Sequence, residues 1–153
     1  MNEPEDHALG RSRGGFGTKI HLVCEGRGKP IAVQISGGQE HESKYFKEMM
    51  EKISIPQERG RPRKKPDNIA GDKAYSSHSI RDYIHTKGIG DVIPTKENEE
   101  RRDDFDKEIY RDRNVIERCI GWLKESRRIA TRFEKLAIHF LGILKLGMIL
   151  EYL

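Results

Sequence analysis

A chain of 153 residues has room for one domain with a real but modest core. Hydrophobic and charged residues each make up 35% of it, and the formal charge of +4 favours an anionic partner only mildly, because 25 acidic residues offset most of the 29 basic ones. The polar, glycine-rich opening MNEPEDHALGRSRGG is no signal peptide, and two cysteines without metal-ligand spacing, Cys24 and Cys119, fit a reduced, cytoplasmic setting. The most apolar stretch, Leu136 to Leu153, contains His139 and Lys145 and reads as a buried helix rather than a membrane span.

In chain order, residues 1–16 read as an irregular linker. Thr18 to Cys24 alternates, with Ile20, Leu22 and Cys24 facing one way and Lys19, His21 and Val23 the other, which predicts a strand. Glu25 to Gly28 is a tight turn and Pro30 to Ser36 a second strand, so the pair forms a hairpin. Glu42 to Ile53 has helical spacing with Tyr45, Phe46, Met49, Met50 and Ile53 inward, and residues 54–66 form a Pro- and Arg-rich loop. A short strand at Asn68 to Ala70 delivers Asp72 at its carboxyl end, a common place for a functional group in an α/β sheet. Ser76 or Ser77 caps a helix over 78–87, Gly88 to Gly90 ends it, and Asp91 to Pro94 gives another strand. Residues 96–108 read as an exposed, partly helical charged connector. Tyr110 to Arg132 reads as one long helix, because it has no Pro and its one Gly is Gly121. A last amphipathic helix runs from Glu134 to Leu150. The order β-β-α-β-α-β-α-α predicts an α/β fold over 17–153, one mixed sheet with helices on its faces.

Chemistry concentrates on the long helix. Tyr110, Arg113, Glu117 and Lys124 are spaced so that a helix holds them within an arc of roughly 60°, beside an apolar stripe of Ile109, Ile116, Ile120 and Leu123. Asp72 and Glu117 are the best pair of acids: oxygen ligands suit a hard divalent ion, and cations beside it suit phosphate. The plain alternative is a strand-end Asp capping a turn and a surface Glu paired with Arg113 or Arg118. Arg127, Arg128 and Arg132 extend the basic surface toward a nucleic-acid backbone. Residues 59–65 carry five cations in seven positions, and Arg59-Gly60-Arg61-Pro62 is similar to the core of an AT-hook, although a basic surface loop explains it equally well. His41 and Lys73 fall where they can approach the acids, and a hydrogen-bonded structural His explains the first as well. Trp122 and Cys119 read as packing residues.

The Tyr110, Arg113, Glu117, Lys124 spacing resembles the signature of a large group of bacterial insertion-sequence transposases of the DDE class. LGRSRGGFGTKIHLV, the GQEH segment at 38–41, GDKAYSS at 71–77 and ERCIGWLKESRRIATRFEK at 117–135 resemble the same family. The resemblance implies a ribonuclease-H-like fold, two magnesium or manganese ions in the complete enzyme, and DNA transposition by cleavage and strand transfer. It places Asp72 and Glu117 as the second and third metal-binding carboxylates, and Tyr110, Arg113 and Lys124 as phosphate and DNA contacts. The family's first carboxylate lies on an opening strand upstream of LGRSRGG. Asp6 sits in a linker-like EPEDHA setting, so the expectation is a C-terminal portion of the catalytic domain with its first strand missing. Such a portion is a second frame joined by frameshifting or a decayed copy. Its expected partners are element-end and target DNA, the N-terminal part of the transposase and, when complete, further copies of itself. The competing readings are an inactive DNA-binding fragment that regulates an intact transposase, and a one-metal nuclease using Asp72 and Glu117.

Overall fold

A computed structural model describes residues 7–153 and divides the chain into two compact units. One comprises the chain up to His41 together with Val115–Leu153, the other Glu42–Asn114.

The first unit is built on a three-stranded antiparallel sheet in the order β1 (Gly10–Ser12), β2 (Gly15–Cys24), β3 (Pro30–Gly37). The β2–β3 hairpin forms where it was expected. Ile20 faces Ile35, Leu22 faces Val33, and a bulge between Val23 and Cys24 precedes the turn, where Gly28 N donates to Glu25 O at 2.8 Å. Alternation puts Ile20, Leu22, Cys24, Val33 and Ile35 on one face, packed with Cys119 and Leu123 of α4 (Asn114–Leu123), Ile129 of α5 (Arg127–Ala130), and Phe140, Leu144 and Met148 of α6 (Ala137–Leu150). Trp122 packs against this core, and burial pushes the Cys24 thiol up to about 12, leaving it inert near neutral pH. The C-terminus is pinned where Tyr152 Oη donates to Pro30 O at 2.8 Å.

β1 lies in the stretch expected to be irregular. Its residues, Gly-Arg-Ser, carry no apolar alternation, and glycine lets the backbone approach instead. Gly38 N donates to Gly17 O at 3.0 Å, and a Cβ on Gly38 would lie 2.8 Å from Gly10 O and 3.0 Å from Gly17 O. Those obstacles are backbone atoms that cannot swing aside. Gly38→Ala is therefore expected to cost about 2 kcal/mol in a urea titration followed by Trp122 fluorescence; a loss below about 0.5 kcal/mol would show that the strands yield.

In the second unit β4 (Asn68–Ala70) pairs in parallel with β5 (Gly90–Val92), with α2 (His78–Thr86) between them. α1 (Phe46–Glu51), entered through a 3₁₀ turn at Glu42–Tyr45, buries Phe46, Met49 and Met50, with Ile53 just beyond its end. The Phe46 ring lies 5.9 Å from Tyr75 and 6.1 Å edge-on from Tyr83. Ile80, Ile84, Ile89, Val92 and Ile93 complete the buried set. The fold is therefore mixed α/β, with two small sheets where the element order pointed to one. Among the described residues β4 and β5, three residues each, pair only with one another.

Three further expectations are corrected. The helix expected from Tyr110 to Arg132 is three: α3 (Lys107–Arg111), α4 and α5. α3 starts where the Asp106 carboxylate accepts from Glu108 N at 2.9 Å and Ile109 N at 3.0 Å. It closes with the tightened bonds Asp112 N to Ile109 O and Arg113 N to Tyr110 O, and α4 closes likewise at Glu125 and Ser126. Ser77 occupies the N-cap position of α2 without making a side-chain cap. α6 begins at Ala137 rather than Glu134 and is apolar nearly all round rather than amphipathic. It buries Ala137, Phe140, Leu144 and Met148 and exposes Ile138, Leu146, Ile149 and Leu150. It is too short to cross a membrane, as is every helix among the described residues.

Candidate metal and nucleic-acid site

Asp72 stands between β4 and a single 3₁₀ turn, Lys73–Tyr75. Its backbone is extended (φ −74°, ψ 161°), and its exposed carboxylate makes no cap on that turn, so the plain capping role is not the one it fills. The segment around it is held firmly. Tyr75 N donates to Asp72 O and Ser76 N to Lys73 O, both at 3.0 Å. The Tyr75 phenol is pushed up to about 12 by burial, with the charges of Glu42 and Asp72 adding to the rise. Lys73 is exposed beside Asp72.

Beneath this turn lies a polar network that the sequence did not announce. Asp91 is buried, and its Oδ2 accepts from Arg81 Nη1 at 2.5 Å and Arg102 Nη1 at 2.6 Å, while Oδ1 accepts from Ile93 N at 3.0 Å. Arg81 Nη2 reaches fully buried Ser76 at 2.8 Å, and Ser76 Oγ donates to Glu99 at 2.5 Å. Arg102 forks onto Asp104 at 2.9 and 2.7 Å. The charged connector thus folds back on the strand-helix-strand unit through Glu99 and Arg102 instead of standing free, and it contains no helix before Lys107. Glu99 is held below the usual carboxylate range by the Ser76 hydroxyl and the Lys96 amide, and Asp104 by Arg102. A depressed folded pKa contributes stability at neutral pH that is lost on acidification. Thermal midpoints are expected to fall as pH drops through about 4, and Glu99→Gln to flatten that fall; an unchanged profile would remove Glu99 as a contributor.

Tyr110 and Arg113 come together, the guanidinium 5.3 Å from the ring centroid, with Phe105 packed 5.2 Å from the same ring. They reach this through α3 and the turn after it rather than along one unbroken helix. Arg59 and Arg61 are exposed in a loop closed by an antiparallel bridge between Ile55 and Arg63. That loop bends at 58–61 and is not the extended run of an AT-hook.

In the first unit, Glu117 is exposed in the first turn of α4, and Lys124 is exposed just past its end. Arg127 and Arg128 are exposed on α5, and Arg128 is paired with Glu134 at 2.5 Å. Arg132 is committed to the fold. Its five N–H groups donate to Glu134 O at 3.0 Å, Ala8 O at 3.2 Å, Thr18 Oγ1, His7 O at 2.5 Å and Lys135 O at 3.1 Å, and its plane lies over Phe140 at 5.2 Å. His41 is exposed at the end of this unit's first segment. A buried pair escaped the sequence reading: His21 Nε2 and Ser36 Oγ are 2.8 Å apart, diagonal neighbours across the hairpin. Asp6 lies outside the described residues. Among the described residues no cluster of three or more His, Cys, Asp or Glu side chains is arranged to hold a metal.

The family model described as the transposase DDE domain matches residues 4–150, a span that includes both Asp72 and Glu117. The chain belongs to that family. It is similar to the putative transposase for insertion sequence element IS402 of Burkholderia cepacia, with 30% identity over 132 residues, which is 86% of this chain. This family member spans 60% of the length of that relative. No solved structure matches the chain.

Proposed function

We propose that the chain acts in DNA transposition as a C-terminal portion of a DDE transposase with a ribonuclease-H-like fold, supplying two of three metal-binding carboxylates. The family match across both acid-bearing segments is the observation that carries this reading. Asp72 and Glu117 are exposed carboxylates, each at the end of a secondary-structure element, and their oxygens suit magnesium or manganese. Such ions, when bound, polarise a phosphodiester and activate the attacking oxygen. The chain's own residues would do the rest. The Ser76–Arg81–Asp91 network holds the Asp72 turn, the Tyr110–Arg113 stack presents a phenol and a cation, and Lys124 offsets phosphate charge. Arg59, Arg61, Arg127 and Arg128 track the DNA backbone, with His41 and Lys73 near the site, whereas Arg132 serves the fold. The first carboxylate of the set comes from an N-terminal part of the transposase, and the complete enzyme works as an oligomer.

The alternative, an inactive DNA-binding chain that regulates an intact transposase, is favoured by the basic loop 59–65, which lies on the surface. One experiment separates the two: incubate element-end DNA and magnesium with the chain alone and with a version extended upstream. The first reading expects strand transfer from the extended protein alone, removed by Asp72→Ala or Glu117→Ala. Full activity from the chain alone, abolished by Asp72→Ala, would overturn the missing carboxylate. Salt-dependent binding without chemistry in either form would favour the regulator.

A further inference from the structure

A groove of about 680 Å³ opens in the first unit between β2, the end of α4 and the 129–135 segment. Two rings on its rim are far more exposed than a core-forming residue would be, Phe16 at 73% and Phe133 at 66%, with Leu9 beside them at 40%. Each follows a residue in the left-handed region: Ala8 (φ 45°), Gly15 (φ 108°) and Arg132 (φ 25°). For Ala8 and Arg132 that backbone is unfavourable, and it persists because the Arg132 guanidinium is tied to the Ala8 and His7 carbonyls and to Thr18. The fold thus expends strain to turn apolar side chains outward around one groove. Lys124 and Lys135, both exposed, line it as cations. So does Glu134, whose side chain is more than nine-tenths buried. Its Oε1 takes Arg128, while its buried Oε2 makes no well-formed hydrogen bond among the described residues, the Glu134 and Phe133 amides approaching the carboxylate only loosely.

Exposed aromatic faces beside cations form a platform for an unpaired base and its phosphate. An orphaned carboxylate oxygen beside the platform wants a donor. We propose that this groove holds an unpaired nucleotide whose base carries an exocyclic amine. The base lies against Phe16 and Phe133, its amine donates to Glu134 Oε2 after a small shift of the Arg128 side chain, and Lys124 and Lys135 take the phosphate. This rests on the DNA-binding reading above and adds a ligand class and a base preference to it. Thymine has no exocyclic amine and offers the Glu134 oxygen only its N3–H, flanked on both sides by carbonyl oxygens that the carboxylate repels, so it binds less well.

The test is fluorescence anisotropy with the full chain, using 12-mers of dC, dA and dT and a mixed 12-base-pair duplex. Expected are tighter binding of dC and dA than of dT, by about fivefold or more, and loss of single-strand affinity by roughly tenfold in Phe16→Ala/Phe133→Ala with duplex binding retained. Both rings are exposed, so the double variant keeps its fold, which circular dichroism checks. Glu134→Gln is expected to erase the preference over dT; if that variant melts early, the wild-type ranking of dC, dA and dT decides alone. Equal affinities for the three strands, or a double variant that binds them like wild type, would overturn the proposal. So would a self-associated chain that Phe16→Ala/Phe133→Ala converts to monomer, since a second copy would then be the occupant. Duplex binding without single-strand binding would sink this proposal and leave the transposase reading standing, whereas binding to neither would sink both.

Discussion

Asp91→Asn is expected to destabilise the Glu42–Asn114 unit by about 3 kcal/mol. The carboxylate is the common acceptor of Arg81 and Arg102 and of the Ile93 amide, and its side chain is 1% exposed. Removing its charge leaves two guanidinium groups directed at a neutral amide that can accept from only one side. Breaking a buried pair from one end costs about 3–5 kcal/mol, and the partial exposure of both arginines, 17% and 20%, places this case at the lower end. Urea unfolding followed by far-ultraviolet circular dichroism measures it. A change under about 1 kcal/mol would mean that water replaces the carboxylate at little cost. The substitution is also expected to loosen Ser76, because Arg81 bridges the two, and hydrogen exchange at 73–76 should quicken.

The second large effect is expected at Arg132. Arg132→Ala removes five donors whose acceptors lie in three separate segments: residues 7–8, Thr18 and 134–135. Several of those carbonyls lose their partner, the Phe140 ring loses its cation, and alanine inherits a left-handed backbone it does not favour. The sum is about 3 kcal/mol, read through Trp122, which packs on this unit's core. Arg132→Gly separates the causes. It relieves the backbone but restores no hydrogen bond, so it should recover less than about 1 kcal/mol. Recovery of most of the loss by glycine would show that backbone strain, not the guanidinium, dominates.

Arg132 also shows where residue type and spacing mislead. In sequence it is one more cation after Arg127 and Arg128 on an expected helical face, and nothing local reveals that three of its five acceptors lie more than 100 positions away. The Asp91 network has the same property on a smaller scale, with partners 10 and 11 residues distant, so the connector carrying Arg102 looked merely solvated. The hairpin and the strand-helix-strand unit were readable because period-two alternation and turn glycines are local signals. The long helix was misread for the converse reason. Tyr110, Arg113, Glu117 and Lys124 keep helical spacing on paper, but spacing does not register the tightened i→i−3 bonds that end α3 at Asp112 and α4 at Glu125. Asp72 kept its expected place at the end of a strand, and Tyr110 and Arg113 still meet, across a turn that spacing alone did not predict.

α6 sets a practical bound on work with this chain. Ile138, Leu146, Ile149 and Leu150 show apolar surface to solvent along its outer side, interrupted by His139 and Lys145. Added salt weakens contacts to phosphate, while strongly hydrated salts such as sulfate make apolar faces adhere. A titration meant to reveal counterion release would then also drive particles together, and scattered light would counterfeit a binding curve. Chloride at low ionic strength keeps the two apart. Replacing Leu146 by lysine would widen the usable range without touching a residue assigned to DNA.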